Sequence, residues 1–416
     1  MRCRFCGSTL DLEFIDLGAS PPSNSFLTGD QLDEPEVYYP LRLYVCRDCF
    51  LVQIDECKKS TEIFSEDYVY FSSYSSTWLE HAGNYVEMIV PRLGLGKDSL
   101  VFEIGSNDGC LLRNVRRKGI PCLGIEPAAG VAAAAREHGL DVVQDFFSLK
   151  LAEELARKDM KADLIIGNNV LAHIPDLNDF VAGLKTVLKE NGVITMEFPH
   201  LLRLVQGNQF DTIYHEHYSY FSLLTVRRVF AGHGLAVFDV EELSTHGGSI
   251  RIYAGHDKVQ TPGSRVRDFL EKEREAGMDR ISFYRGFQDK ADMVKSDLLQ
   301  FLIEQKRAGK TVAAYGAAAK GNTLLNYCGV KKDLVRFVAD ASPHKQGKYL
   351  PGSRIPVHRE DRIQKIRPDF VLVLPWNIKD EIMEQLGYIS GWGGEFVTAI
   401  PELKIFKPGA PRGPIV

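Results

Sequence analysis

The sequence predicts an α/β protein in which an N-terminal zinc-binding module precedes two Rossmann-like units, the second smaller than the first. Two cysteine pairs lie near the start of the chain of 416 residues. From about residue 98, short apolar strands alternate with helices, which is the pattern of βαβ units around a parallel sheet. The same alternation begins again at about residue 309, after a charged helical stretch. A chain of this length can bury several cores.

We divide the chain into six segments on these signals. Turn-forming residues such as the stretch 20–24 mark the first segment, and aromatic residues followed by a helical pattern mark the second. The segments are a zinc-binding module (1–60), an aromatic and helical connector (61–97), a first Rossmann unit (98–257), a helical bridge (258–308), a second Rossmann unit (309–408) and a short tail (409–416).

The composition argues against two kinds of partner and favours one compartment. With a formal net charge of −5, the chain lacks the basic surface that nucleic-acid binding requires. The strongest apolar run, Phe370–Leu374, has the length of a strand, so we expect no membrane span. Metal-bound and scattered free cysteines suit a reducing cytoplasm, and the first cysteine comes too early for a signal peptide. We therefore expect a cytoplasmic protein that binds neither nucleic acid nor membrane.

The four N-terminal cysteines have the spacing of a structural zinc site. Cys3 and Cys6 form one C-x-x-C pair, and Cys46 and Cys49 form the second. A gap of two residues lets one tight turn present two thiolates, and two such pairs complete a tetrahedral site with no open position. We predict that the zinc ion stabilises the module and takes no part in chemistry.

The first Rossmann unit begins with a strand that breaks into a glycine-rich loop. Gly105 permits a ligand to approach the backbone closely, and the helix that starts after Gly109 offers free N–H groups. Glu126 ends the next strand, where an acidic residue binds ribose hydroxyls, and Asp145 follows the third strand, where a carboxylate can accept from an adenine amino group. A dinucleotide site is the main alternative, but the loop lacks the G-x-G-x-x-G spacing.

A histidine cluster follows the fourth strand, on the edge of the sheet where loops bind substrate. Histidine is a natural general base near neutral pH, and residues i and i+2 of a strand share a face, so we expect His215 and His217 both to reach the cleft. Metal binding and purely structural packing are the alternatives, and the H-E-x-x-H spacing of zinc proteases is absent. The cluster consists of Tyr214, His215, Glu216, His217 and Tyr218.

Two further loops carry polar residues toward the same edge. After the strand Leu164–Ile166, Asn169 and His173 are expected to face a bound ligand, with loop packing as the alternative for His173. The second glycine-rich loop, from Gly316 to Asn322, nearly matches a P-loop, but an asparagine stands where the lysine belongs, so we exclude an NTPase. Its helix start and Lys320 suit a diphosphate, unless the small residues serve only close packing.

These motifs resemble those of the class I S-adenosylmethionine-dependent methyltransferases, and especially of the nucleotide-sugar C-methyltransferases. Members of that family carry a four-cysteine zinc domain, a central methyltransferase domain and a C-terminal Rossmann-like domain. The matching stretches span nearly the whole chain in the same order. They are Cys3-x-x-Cys6 with Cys46-x-x-Cys49, Tyr68-Val-Tyr70-Phe-Ser72-Ser73, Glu103-Ile-Gly-Ser-Asn-Asp-Gly109, Asn168-Asn-Val-Leu-Ala-His173, Tyr214-His-Glu216-His217-Tyr218 and Tyr315-Gly-Ala-Ala-Ala-Lys320-Gly-Asn322.

The resemblance implies the cofactors, S-adenosylmethionine and a structural Zn²⁺, and a role for each site residue. His217 removes a sugar proton, with Tyr214 and Glu216 beside it, and Tyr214 or His173 stabilises the negative charge that develops on the sugar oxygen. The implied cofactor residues are Glu103, Gly105, Asn107, Gly109, Glu126, Asp145 and Asn168. The implied substrate residues are Tyr68, Tyr70, Ser72, Ser73, Asn169, Gly316, Lys320 and Asn322.

The implied reaction is methylation at C-3 of a 4-keto deoxysugar linked to a nucleoside diphosphate, with thymidine as the expected nucleoside. A ketone at C-4 makes the C-3 hydrogen acidic, so base-catalysed enolate formation precedes methyl transfer. Two alternatives remain from the sequence. One is an O- or N-methyltransferase that acts on a sugar or small metabolite, and the other is a zinc-ribbon binding protein whose Rossmann units are not catalytic.

Overall fold

A computed structural model describes residues 1–57, 71–74 and 76–409, except for the side chains of Tyr74 and Ser76. Within these residues the backbone forms three β-sheets, and the predicted α/β architecture is confirmed. Short 3-10 helices connect many of the elements. They are Asp30–Asp33, Ser72–Tyr74, Leu171–His173, Phe210–Thr212, Thr245–Gly247, Ile281–Tyr284, Trp376–Ile378 and Gly387–Trp392.

The N-terminal sheet is antiparallel and has four strands. These are β1 (Leu12–Ser20), β2 (Tyr39–Val45), β3 (Val52–Ile54) and β9 (Ser219–Tyr220), in the order β1–β2–β3–β9. Leu41, Leu43 and Val45 alternate along β2 with partly exposed residues, because successive side chains of a strand point to opposite faces. One cysteine pair precedes β1, and the other lies in the turn between β2 and β3.

The central sheet has seven strands in the order β10–β11–β8–β7–β4–β5–β6. The strands are β4 (Val101–Ile104), β5 (Cys122–Ile125), β6 (Val142–Val143), β7 (Ala162–Asn168), β8 (Leu188–Pro199), β10 (Leu235–Leu243) and β11 (Ser249–His256). Neighbours among β4 to β8 are parallel, and all of β4 is buried because helices cover both faces. In contrast to the predicted parallel arrangement, β10 and β11 form an antiparallel hairpin that pairs with β8.

In the described chain, seven helices precede or connect the strands of this sheet. They are α1 (Ser76–Leu93), α2 (Leu112–Arg117), α3 (Ala129–Glu137), α4 (Leu149–Arg157), α5 (Leu177–Val187), α6 (Leu201–Gln206) and α7 (Leu223–Gly232). Ser148, Asp176 and Ser222 cap α4, α5 and α7 respectively, because each side chain accepts a hydrogen bond from a backbone N–H of the first turn. These polar residues explain where the three helices begin.

The C-terminal sheet has six strands in the order β14–β13–β12–β15–β16–β17, parallel except for the last pair. The strands are β12 (Val312–Tyr315), β13 (Val338–Ala339), β14 (Val357–His358), β15 (Phe370–Val373), β16 (Glu395–Thr398) and β17 (Lys404–Phe406). Helix α8 (Ser264–Glu275) packs on the core of the central sheet. The helices that pack with the C-terminal sheet are α9 (Phe287–Arg307), α10 (Ala319–Cys328), α11 (Asp361–Ile366) and α12 (Lys379–Gln385). Strand β13 begins at Val338, after a turn in which the Leu334 N–H donates to the Lys331 carbonyl.

The N-terminal sheet shares its edge strand with the central unit. Strand β9 pairs with β3 through Val52 with Tyr220 and through Gln53 with Ser219. The hydrophobic core that contains three of the paired cysteines also contains Phe102 of the central sheet. A second core runs from the N-terminal sheet through α9 to the C-terminal sheet. The cysteine-rich module is therefore built into the scaffold of the molecule.

Within the part of the chain that the structure describes, every helix is too short or too polar to traverse a lipid bilayer.

Candidate active site and metal centre

The four paired cysteines converge on one point. Their sulfur atoms all lie within 4.8 Å of one another. The Sγ atoms of Cys3 and Cys49, and those of Cys6 and Cys46, are 3.5 Å apart. Zinc bonds of about 2.3 Å place tetrahedral thiolates about 3.8 Å apart, so the cluster has the size of a zinc site. The predicted ligand set therefore fits the ion.

An outer hydrogen bond connects the metal centre to the rest of the fold. Gln53 donates from Nε2 to Cys3 Sγ at 3.3 Å, and its Oε1 accepts from the Arg4 N–H at 2.9 Å. A hydrogen bond from the Cys49 thiol lowers the pKa of Cys3. Since Gln53 also pairs with Ser219, one strand lies between the zinc ligands and the histidine loop.

The first glycine-rich loop adopts a conformation that suits glycine. Gly105 has a φ of +64°, and a Cβ atom there would lie 2.7 Å from Val170 Cγ2. The loop therefore passes tightly against the segment that follows β7. Glu126 fastens the loop, because its two carboxylate oxygens accept the N–H groups of Asn107 and Ala128, both at 2.9 Å.

Ser72 and Ser73, which are predicted substrate residues, contact this loop. The Ser72 N–H donates to Asn107 Oδ1 at 2.9 Å, and the Ser73 N–H donates to Asp108 Oδ2 at 3.1 Å. Residues 72 and 73 of the connector therefore lie against the glycine-rich loop.

Two of the predicted site residues lie outside the described residues, and one lies at the outer rim. Tyr68 and Tyr70 are not among the described residues, so their substrate contacts stay a prediction. Asp145 is exposed, and its Oδ1 accepts the N–H of Phe146 at 2.8 Å. Its contact with an adenine also stays a prediction.

Several buried polar atoms near this loop have no hydrogen-bond partner among the described residues. Burial raises the pKa of Glu103 well above its usual value, and the charges of Asp108 and Glu126 raise it further. Three acidic groups so close together, shielded from water, favour a ligand with positive charge. The unpartnered atoms are Glu103 Oε2, Ser106 Oγ, Asp108 Oδ1, both amide atoms of Asn168 and Asn169 Oδ1.

Replacing Glu126 with alanine is expected to weaken cofactor binding by about 1–3 kcal/mol, because a charged hydrogen-bond acceptor is lost from the loop. Calorimetric titration of the variant with S-adenosylmethionine measures this directly. Glu137→Ala, at an exposed carboxylate on α3, is the matched control and should bind as the wild type does. Equal affinities of the Glu126 variant and the wild type would refute the cofactor assignment of this loop.

The residues predicted to transfer a proton meet in one cluster. The ring centre of His217 lies 4.1 Å from that of Tyr214 and 4.7 Å from that of His173. His173 ends a 3-10 helix after β7, and its Nδ1 donates to the backbone carbonyl of Glu216 at 2.8 Å. Both segments lie at the edge where the parallel strands of the central sheet end, which is where such sheets bind ligands.

The imidazoles of His217 and His173 favour the neutral form at pH 7. Burial lowers the pKa of His217 well below its usual value, and His173, His246 and Lys320 lower it further. Burial lowers the pKa of His173 to about 4. A hydrogen bond between His217 and the backbone of Thr212 orients the ring, which leaves its other nitrogen available to accept a proton.

The prediction that His215 reaches the cleft is wrong, because the segment is a turn and not a strand. The turn is closed by the His217 N–H, which donates to the Tyr214 carbonyl at 2.9 Å. His215 instead points to the N-terminal sheet, where its Nε2 lies 3.3 Å from the carbonyl oxygen of Tyr39 and 3.2 Å from that of Pro40.

The N-terminal unit also holds Glu216. Asn24 donates from Nδ2 to both carboxylate oxygens of Glu216, at 2.8 and 2.9 Å. In addition, the Ile54 N–H donates to the Tyr218 carbonyl at 3.1 Å. The carboxylate of Glu216 therefore anchors the loop, and its backbone carbonyl orients His173.

The second glycine-rich loop is closely packed. A Cβ atom on Gly316 would lie 2.3 Å from Pro375 Cγ. The Ala317 N–H donates to Asp340 Oδ2 at 2.7 Å, and Asn322 donates from Nδ2 to the Ser23 carbonyl at 2.6 Å. These contacts give the small residues a packing role, and the substrate contacts of Gly316 and Asn322 stay a prediction.

Lys320 lies beside the histidine cluster. Its Nζ donates to Asn377 Oδ1 at 2.7 Å and lies 4.8 Å from the centre of the Trp376 ring. Trp376 in turn donates from Nε1 to the buried Asp211 at 2.7 Å. Trp376 also packs on the loop that carries His246, because a Cβ atom on Gly247 would lie 2.4 Å from its Cη2. The charge of Lys320 lowers the pKa of His217.

Sequence reasoning missed His246. Its Nε2 accepts from Asn169 Nδ2 at 2.6 Å, and its ring centre lies 5.6 Å from that of Trp78. Burial lowers its pKa to about 4. His246 has a φ of +55°, a conformation that non-glycine residues seldom adopt and that occurs often at functional sites. The two glycines that follow it, Gly247 and Gly248, are the only sequence signal of this loop.

Family models match three consecutive parts of the chain. A methyltransferase zinc binding domain matches residues 3–64, a methyltransferase domain matches residues 78–240, and a C-methyltransferase C-terminal domain matches residues 244–401. Together they reach into all three sheets described above, and strand β17 lies beyond the last match.

One curated relative aligns along nearly the whole chain. The C-methyltransferase NovU of Streptomyces niveus is 36% identical over 409 residues, which is 97% of this chain and 96% of that protein. The ubiquinone biosynthesis O-methyltransferase of Bartonella quintana is 31% identical over 96 residues, which is 23% of this chain and 38% of that protein.

Solved structures align with less than half of the chain. Magnesium protoporphyrin IX methyltransferase (ChlM) from Synechocystis PCC 6803, with bound SAH, is 15% identical and covers 47% of this chain and 90% of its own, with a TM-score of 0.34. An S-adenosylmethionine-dependent methyltransferase from Clostridium acetobutylicum is 14% identical and covers 44% of this chain and 92% of its own, with a TM-score of 0.35.

Proposed function

The chain belongs to the S-adenosylmethionine-dependent C-methyltransferases, and from this premise we propose that it methylates C-3 of a 4-keto deoxysugar linked to a nucleoside diphosphate. The observation that carries the proposal is the neutral, oriented imidazole of His217, held against Tyr214 and His173 at the ligand-binding edge of the sheet. Thymidine diphosphate is the nucleotide that we expect.

The residues around the first glycine-rich loop suit the cofactor. S-adenosylmethionine supplies the methyl group when it is bound. The acidic groups of Glu103, Asp108 and Glu126 complement its positive charge, and Glu126 ends its strand where a ribose hydroxyl is bound in related folds. The unpartnered amide of Asn168 offers further hydrogen bonds on the same side.

His217 acts as the general base. A C-3 hydrogen beside a ketone is acidic because the electron pair left behind moves onto the carbonyl oxygen. Since His217 is neutral and one ring nitrogen is bound to the backbone of Thr212, its other nitrogen takes this proton. The C-3 carbon of the resulting enolate would be the nucleophile toward the methyl group that bound S-adenosylmethionine supplies, and breaking of the bond between sulfur and methyl would leave S-adenosylhomocysteine. Alignment of carbon, methyl and sulfur would supply much of the rate.

Tyr214 is the better placed of the two sequence-predicted donors to the enolate oxygen. His173 donates a hydrogen bond from Nδ1 to the Glu216 carbonyl. In the neutral imidazole Nε2 therefore carries no proton and cannot donate. Tyr214 has a hydroxyl proton and lies in ring contact with His217. We therefore assign His173 to positioning of the loop.

The structural zinc ion stays outside the chemistry. Its four ligands are cysteines of the N-terminal unit, and a site with four thiolates has no open position for substrate. The ion is held by Cys3, Cys6, Cys46 and Cys49. Strand β3 connects this site to β9, because its Gln53 donates to Cys3 and pairs with Ser219.

Of the two alternative functions that the sequence left open, one is excluded and the other is less well supported. A zinc-ribbon protein without catalysis is excluded, because the chain belongs to a family of enzymes. O-methyltransferases match only about a quarter of the chain, whereas the C-methyltransferase relative matches 97% of it. C-methylation is therefore the reaction to test first.

The proposal is tested by incubating the purified protein and S-adenosylmethionine with a panel of nucleotide-linked 4-keto sugars. We expect mass spectrometry to show addition of one methyl group to the sugar of a thymidine diphosphate substrate. The matching sugars reduced at C-4 are the control and should remain unmodified, because they lack the ketone that acidifies C-3. Methylation of the reduced sugars would contradict an enolate mechanism.

The rate constant kcat/KM is expected to stay constant as the pH falls from about 8 to about 6. The base works only when unprotonated, and burial lowers the pKa of His217 below its usual value of about 6.5, so activity is lost at a lower pH than for an exposed histidine. Initial rates over this range, with the thermal midpoint measured at each pH, provide the check. A loss of kcat/KM centred at or above pH ~6.5 in folded enzyme would contradict the assignment.

A further inference from the structure

We propose that Lys320 acts in the chemical step, by donating a hydrogen bond from its ammonium group to the C-4 oxygen as that oxygen becomes the enolate oxygen. This role replaces the diphosphate contact expected from the sequence. It rests on the proposed function, because it requires a 4-keto substrate.

The position of the helix that carries Lys320 supports this role. Lys320 and Thr323 lie three residues apart and therefore on one face of α10. Thr323 donates from Oγ1 to the carbonyl of Ile213 at 2.8 Å, immediately before Tyr214. The face of α10 that carries Lys320 is thus docked on the segment that leads to His217.

The surroundings of the ammonium group support it as well. Of its three N–H donors, one is bound to Asn377 Oδ1 at 2.7 Å, and the described residues offer no other acceptor within hydrogen-bond distance. The ring of Trp376 lies under the ammonium group, and its Nε1 donates to Asp211 Oδ2 at 2.7 Å. Lys320 forms no ion pair with any described residue, so two donors remain for a ligand in the cleft.

The loop before Lys320 is a poor site for a diphosphate. The N–H of Ala317, which would receive an anion, already donates to Asp340 at 2.7 Å. Asp340 is buried and already pairs with a cation, because Lys345 Nζ lies 3.8 Å from its Oδ2 and donates to the Ala317 carbonyl at 2.9 Å. Lys320 instead lies close enough to His217 and His246 for its charge to lower the pKa of both.

A charged donor at this place would stabilise the enolate in addition to the neutral hydroxyl of Tyr214. When the bond between C-3 and its hydrogen breaks, the proton passes to His217 and the electron pair forms a double bond between C-3 and C-4. The carbonyl electrons then rest on the oxygen as a full negative charge. A preorganised donor at such an oxygen contributes about 10²–10³-fold to the rate, and a charged donor forms stronger hydrogen bonds than a neutral one.

The experiment measures exchange of the C-3 hydrogen with solvent deuterium in the absence of a methyl donor, together with kcat and KM of the full reaction. For Lys320→Met we expect exchange at saturating substrate and kcat to fall by about 10²-fold, with KM changed by less than about threefold. Lys365→Met, at an exposed lysine paired only with Asp361, is the control and should match the wild type.

Each outcome decides between named roles. A raised KM with unchanged exchange at saturation would overturn the inference and return Lys320 to diphosphate binding. If Lys320→Met fails to fold, Asn377→Ala takes its place, because it frees the ammonium without removing it, and it should slow exchange at unchanged KM. Wild-type exchange in Asn377→Ala would then overturn the inference. Absence of exchange in the wild-type protein itself would refute the proposed function instead.

Discussion

Replacing His217 with asparagine is expected to lower kcat by about 10²-fold or more, because the general base is lost from the reaction. Asparagine retains a polar side chain of similar reach, so the fold and the affinities for both ligands should be kept. Exchange of the C-3 hydrogen with solvent should also stop, since enolate formation precedes methyl transfer. Stopped-flow rates, calorimetric affinities and mass-spectrometric exchange measure the three quantities separately.

Two variants of the same loop serve as comparisons. His215→Asn removes a histidine that points to β2, so its exchange rate should stay near that of the wild type. Glu216→Gln should act mildly, because its carboxylate anchors the loop through Asn24 and does not take the proton. Loss of exchange in Tyr214→Phe with retention in His217→Asn would move the base to the tyrosine and contradict our assignment.

Removing a zinc ligand is expected to have the second large effect, which is loss of the ion and loosening of the histidine loop around residues 218–220. Metal analysis should find about one zinc ion per chain, as one set of four thiolates predicts. Cys46→Ser should lose the ion and the stability that it supplies, which for structural zinc in small domains amounts to about 10–16 kcal/mol of binding free energy. Because β3 connects the cluster to β9, amide hydrogen exchange should rise at residues 52–54 and 218–220.

Activity alone cannot separate a local effect from unfolding, so the exchange pattern is the decisive measurement for this variant. Cys57→Ser, at a cysteine of the same unit that lies outside the cluster, is the control and should keep both zinc and protection. Loss of zinc with unchanged protection at residues 218–220 would show that the metal centre does not support the histidine loop.

The metal site was predictable from the sequence because its information is local. The two-residue gaps in the cysteine pairs determine the turn geometry, and tetrahedral coordination then determines how the pairs combine. The strands of both Rossmann units were likewise predictable, because buried parallel strands are short and uniformly apolar. The antiparallel hairpin of β10 and β11 was missed, because alternation of strands and helices does not report strand direction.

The candidate site was only partly predictable because it depends on contacts between distant segments. Strand β9 has two residues, which are too few for any periodic signal, and the turn of the histidine loop comes directly before it. The contact of Asn24 with Glu216 joins positions 192 residues apart. The location of Lys320 beside His217 follows from how α10 docks on residue 213, which no local pattern encodes.

The most direct test of the central claim follows the hydrogen at C-3 of the substrate. A nucleotide-linked 4-keto sugar carrying deuterium at C-3 is converted with S-adenosylmethionine, and the product is analysed by mass spectrometry and NMR. If His217 removes this hydrogen, the methylated product has lost the deuterium and carries its methyl group on C-3. A methylated product that retains the deuterium would place the methyl group elsewhere and contradict the account.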